Sequence, residues 1–158
     1  MTQRDIIVGR LKTSRWWLES ALARVTPEML SWAPKPGMRT VAGLLVEIIE
    51  VEAQLVPVLR TGKELSEGEL GGIVGDQSNL DGLKAALASV RQGTLAYLET
   101  LDERDLAAEV SVPQWYGAYW PKLGPLGEHF RNTAEHEFYH AGQLITYLWA
   151  SGDNPYDW

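Results

Sequence analysis

Apolar residues recur at intervals of three and four through four long stretches of the chain, and segments rich in glycine, proline or polar residues separate them. In the first, from Thr2 to Val25, Ile6, Ile7, Leu11, Trp17, Leu18 and Leu22 fall on helical spacing, and Thr26-Pro27-Glu28 then opens a short turn. Ser31-Trp32-Ala33-Pro34-Lys35-Pro36-Gly37 is loop chemistry. Thr40 caps a second helix running toward Arg60, with Pro57 expected to bend it near its end. Residues 61–76 carry five glycines and little periodicity, which predicts a long exposed connection. Ser78 or Asn79 opens the third helix, whose stripe is Leu80, Leu83, Leu87, Val90, Tyr97, Leu98 and Leu101. Asp102 to Leu106 reads as another capped turn, and Val110 to Val112 has extended character before an aromatic loop with Trp115, Tyr116, Tyr119 and Trp120. Pro125 begins the fourth helix, which ends near Ser151-Gly152 and carries Leu126, Phe130, Ala141, Leu144 and Leu148 on its apolar side.

Four apolar helix faces with hardly any strand signal are buried most simply against one another. The expected fold class is all-α, a four-helix bundle with long connections and a short aromatic loop or hairpin before the last helix. A length of 158 residues and 45% hydrophobic content suit one core, so the expectation is a single domain over residues 1–158. The three connections are long enough for crossovers and leave the helix order open.

Charge and composition then narrow the function classes. A net charge of −7 without a basic cluster argues against nucleic acid and against an anionic membrane surface as partners. The start of the chain, Met1-Thr2-Gln3-Arg4-Asp5, lacks a long apolar run, and a cytoplasmic address is expected. Because the chain has no cysteine, a metal site has to be built from His, Asp and Glu.

All three histidines, His129, His136 and His140, lie in the fourth helical pattern. At about 100° per residue they project within roughly 40° of one another, and His136 and His140 are about 6 Å apart in rise. A pair of imidazoles one turn apart offers two metal ligands from one rigid element. Further donors have to come from another helix. On the second helix, Glu47 lies at the margin of the apolar arc and Glu52 within it, and a carboxylate in such a position needs a cation or a hydrogen-bond donor. Both are therefore candidate partners of the histidines. Around the pair, Glu52, His129, Glu137 and Gln143 are candidates for supporting the ligands from behind.

His136-Glu137-Phe138-Tyr139-His140 also matches the zincin spacing, in which the glutamate is a general base. Only eighteen residues follow His140, which leaves little room for a downstream third ligand, and no substrate-lining strand precedes the motif. A structural role for Glu137, paired with an Arg or Lys, is at least as good a reading. The aromatic loop suggests a lid over the cleft or, by default, packing.

Ser31-Trp32-Ala33-Pro34-Lys35-Pro36-Gly37, Thr40-Val41-Ala42-Gly43-Leu44-Leu45-Val46-Glu47, Val51-Glu52, and His136 to His140 followed by Gly142-Gln143 together resemble the DinB/YfiT-like family over nearly the whole chain. The resemblance implies a four-helix bundle, often dimeric, that binds a divalent metal through one histidine of helix two and a pair near the end of helix four. His136 and His140 match that pair, and Glu47 stands where the helix-two histidine usually does. It therefore implies a metal set of Glu47, His136 and His140 for zinc, nickel, manganese or iron, with open positions for water and substrate. Some relatives resemble thiol transferases, so the expected partners are a small-molecule substrate such as a low-molecular-weight thiol and a second copy in a homodimer. The expected activity is hydrolase or thiol transferase chemistry. The alternative is a non-catalytic helical dimer, metal-free or with only a structural metal, that binds a small ligand or partner in a stress response.

Overall fold

The computed structural model describes residues 1–113 and 123–158 of the chain. The aromatic loop bearing Trp115, Tyr116, Tyr119 and Trp120, with the lid suggested for it, lies outside the described residues.

Four long helices carry the fold: α1 (Gln3–Leu22), α2 (Val41–Thr61), α4 (Leu80–Glu99) and α6 (Leu126–Ala150). Two short ones, α3 (Glu67–Val74) and α5 (Glu103–Ala107), sit in the connections. Strand β1 (Glu109–Ser111) pairs antiparallel with β2 (Leu123–Pro125), Val110 facing Gly124, so the weakly signalled hairpin forms and leads into α6. The class is all-α, as the periodicity predicts. Local chemistry sets the boundaries. Thr2 and Asp5 form a capping box at α1, Thr40 accepts from the Gly43 amide at 3.1 Å to start α2, and Gly62 ends α2 at φ +68°.

One expectation needs correction. Residues 61–76 are not a bare connection, because Ser66 and Glu69 form a capping box that nucleates α3 despite its glycines. The Gln54 side chain anchors the approach, accepting from the Leu65 amide at 2.7 Å and donating to its carbonyl at 3.1 Å. Pro57 lies inside α2, one turn before its end at Thr61.

Helix α1 lies along α6, and α2 packs against both α4 and α6. The core is two apolar clusters. One gathers Leu18, Leu22, Leu45, Ile49, Leu83, Leu87, Leu144 and Leu148, the other Ile7, Leu11, Leu55, Leu98, Leu126 and Phe130. In every long helix the switch from one to the other falls at a buried polar residue: Arg15 in α1, Glu52 in α2, Arg91 in α4 and Glu137 in α6. These four form one layer. Arg15 Nε donates to Glu137 at 2.7 Å and its Nη2 to Glu52 at 3.2 Å. Arg91 donates to Glu52 at 2.6 and 3.1 Å and to Glu137 at 2.8 Å. Ser14 adds a hydroxyl donor to Glu137 at 2.5 Å. The arginines also reach backbone, Arg15 to the Leu87 carbonyl of α4 at 2.7 Å and Arg91 to the Leu11 carbonyl of α1. These reciprocal contacts join α1 to α4, which otherwise approach each other far less closely than α1 and α6 do. Burial alone would lower the Arg91 pKa, but Glu52 and then Glu137 outweigh it and raise it.

Two charges of each sign cancel within the layer, so deleting one strands the others in a water-poor interior. Arg91→Met is expected to lower unfolding free energy by about 3–5 kcal/mol. Urea or thermal unfolding checks this, and a loss within about 0.5 kcal/mol, as for an exposed residue, contradicts the role assigned to the layer.

Candidate metal centre

Along α6, Glu137 is rotated by about 100° from His136, so once Glu137 faces the layer the two histidines face sideways toward α2. Glu47 and Glu52 on α2 are separated by about 140° in the same way, and with Glu52 in the layer Glu47 is turned toward α6. Glu47, His136 and His140 thus meet in the seam between α2 and α6, each offering one ligand atom within 4.8 Å of the others. The two Nε2 atoms are 3.1 Å apart, and His140 Nε2 is 3.5 Å from Glu47 Oε2. Ligands of a tetrahedral ion bound at about 2.0–2.1 Å stand about 3.3 Å from one another. The donor set fits a divalent ion in both chemistry and spacing.

The surroundings prepare the rings. Gln143 Oε1 lies 2.7 Å from His140 Nδ1, and the amide nitrogen of Gln143 donates to the Tyr139 hydroxyl at 2.9 Å. With the amide held that way, His140 Nδ1–H is the donor and Nε2 keeps its lone pair for the seam. His140 is buried and His136 partly so. Burial, then His140 and Arg39, lower the His136 pKa to about 4. Burial above all, with Arg39 adding to it, lowers His140 against the opposing pull of Gln143. Both rings are neutral at pH 7, the form that ligates metals.

The three residues line one wall of a cavity of about 650 Å³ whose other walls include Met38, Leu44, Tyr139, Tyr147 and Gln143. Its position follows from how the chain enters α2. The Val41 amide donates to the Trp32 carbonyl at 3.0 Å, Tyr147 donates to the Arg39 carbonyl at 3.0 Å, and Trp32 meets Tyr147 edge to face. The loop and cap are thereby tied to the helix that carries the histidines.

The other candidates are distributed differently. Glu52 does not join the histidines; it is held by Arg15 and Arg91. Glu137 is 1% exposed with both oxygens engaged by Arg15, Arg91 and Ser14, which leaves it no path to a water in the cavity as a general base. His129 is buried two turns away and is not part of the cavity wall. Gln143 touches a candidate ligand, His140. Arg39 is a cavity side chain that the periodicity does not reveal: its guanidinium pairs with Glu47 there. The available signal is an arginine just before a helix cap, two turns ahead of a carboxylate.

The family model of the DinB superfamily matches residues 10–144. The chain belongs to that superfamily. Among solved structures it is similar to the colibactin self-resistance protein ClbS, crystallised in complex with a dsDNA, at 19% identity and a TM-score of 0.67, over 92% of this chain and 94% of that one. No curated protein sequence matches. The ClbS complex overturns the expectation that nucleic acid is excluded as a partner. The physical reason is that net charge sums over a whole surface, whereas phosphates meet a local patch. Among the described residues no helix is long and apolar enough to cross a bilayer.

Burial also lowers the His129 pKa, so all three histidines are less basic folded than unfolded. The unfolded chain then binds more protons below about pH 6.5, and the stability contributed by the neutral rings is complete above that value and lost as pH falls toward about 4. Metal-free protein is expected to melt at progressively lower temperature between pH 7 and pH 5, before exposed carboxylates titrate, and His136→Gln should flatten the decline. A Tm independent of pH over that interval contradicts the buried, neutral assignment.

Proposed function

We propose that the chain is a metal-dependent enzyme of its superfamily, with one divalent ion held by Glu47, His136 and His140. The observation that carries this reading is the convergence of one carboxylate and two neutral imidazoles, from two helices, on a single point at ligand spacing. When bound, such an ion supplies Lewis acidity, which turns a coordinated water or low-molecular-weight thiol into a nucleophile at neutral pH. The rest falls to the protein. Gln143 fixes the ring of His140, the layer behind α6 keeps the histidines from rotating, and Leu44, Met38, Tyr139 and Tyr147 make an apolar wall against which a small substrate is held. With Glu47, His136 and His140 as its protein ligands, the ion would have coordination left for water or substrate. A sulfur nucleophile, if used, comes from a cosubstrate, since the chain has no cysteine.

Elemental analysis of protein purified without a histidine tag is expected to find one zinc, nickel, manganese or iron per chain. His136→Ala should abolish stoichiometric binding with the fold intact, and Glu47→Gln should weaken it, whereas Glu47→His should restore or tighten it. Full metal content in His136→Ala, or unchanged turnover in stripped protein, overturns the reading.

The likeness to ClbS favours a second reading, in which duplex DNA is a partner of this fold here as well. Retardation of a labelled duplex at low salt, weakening as salt rises, is the expected result. Unchanged migration at micromolar protein removes it.

A further inference from the structure

Among the described residues lining the cavity, Arg39 is the single cation, and its side chain is 56% exposed. Its root is fixed. Tyr147 holds its carbonyl at 3.0 Å, and its Cβ and Cγ lie over Gly43, within 3.7 and 3.9 Å of where a side chain there would begin. From that root the guanidinium reaches forward to Glu47 Oε2, the oxygen that also faces His140. A cation entering between the carboxylate and the imidazoles needs the same oxygen, so the ion and the guanidinium are alternatives there.

We infer that Arg39 is the specificity-determining residue of the loaded site: released from Glu47 by the ion, its guanidinium receives a carboxylate on a small substrate whose other end occupies an open coordination position. The inference rests on the metal reading above. Charge supports it, because a divalent ion and Arg39 together exceed the single negative charge of Glu47. The cavity's second carboxylate, Glu135, lies at an exposed position beside Arg10 at 3.4 Å. Shape supports it too. The fork of an arginine matches a carboxylate in two parallel hydrogen bonds, and the half-exposed head turns about a stem whose base is fixed. The substrate class is thus a small molecule with a metal-binding donor at one end and a carboxylate at the other.

The test uses the full chain loaded with cobalt(II), read by the sulfur-to-cobalt charge-transfer band. Two thiols that differ at the far end serve as probes, 3-mercaptopropionate and neutral 2-mercaptoethanol. The wild-type protein is expected to favour the carboxylate-bearing thiol by about tenfold, the scale of one charge-assisted hydrogen-bonded contact. Arg39→Gln should take up one cobalt and lose the preference, and Arg39→Lys, which keeps the charge without the fork, should fall between. A preference that survives in Arg39→Gln, or is absent from the wild type, overturns the inference while the metal reading stands. Failure of the wild-type chain to take up cobalt overturns the metal reading, and this inference with it.

Discussion

One charged layer sets the geometry of this bundle. Arg15, Glu52, Arg91 and Glu137 come from four different helices, each is buried, and each bonds across to residues on other helices. Apolar clusters above and below tolerate small slides and rotations, because dispersion and hydrophobic burial have little directionality. Paired guanidinium and carboxylate groups in a low-dielectric interior do not, since a shift by one residue on any helix leaves a buried charge without its partner. The layer therefore selects one rotation and one register for all four helices at once.

The seam between α2 and α6 inherits its order from that selection. His136 is the chain neighbour of Glu137, and Glu47 is five residues from Glu52, so inward placement of the two glutamates dictates where the ligand candidates point. The five-residue motif of α6 divides its labour accordingly. Its glutamate holds the fold, and its histidines face the cavity. This division distinguishes the site from a metalloprotease centre, where the same glutamate has to reach a water beside the ion. Arg39, fixed through Tyr147 and lying over Gly43, places a positive charge at the same point from outside.

The long helices are legible in the sequence because each repeats its pattern over several turns, and their caps at Thr2, Thr40 and Asn79 carry standard chemistry. Helix α3 is obscured by Gly68, Gly71 and Gly72, although Ser66 and Glu69 announce it. The histidine pair is legible for the same reason as the helices, its spacing being local. What the sequence hides is pairing between elements. A carboxylate such as Glu52 on an apolar face demands a partner, but imidazoles and guanidiniums answer that demand equally well, and only the packing assigns Glu52 to Arg15 and Arg91 and leaves Glu47 to the seam. Arg39 belongs to no periodic element at all. Its role arises from a cap, a tyrosine over a hundred residues away and a missing side chain at Gly43.

This register brings one carboxylate and two imidazoles within reach of a common ion. An anomalous difference map from crystals grown with cobalt, collected at the cobalt edge, shows whether an ion binds there. One strong peak per chain is expected, within bonding distance of Glu47 and of the Nε2 atoms of His136 and His140. A peak elsewhere on the surface, or none in the seam with Arg39 still seated on Glu47 at saturating cobalt, contradicts it.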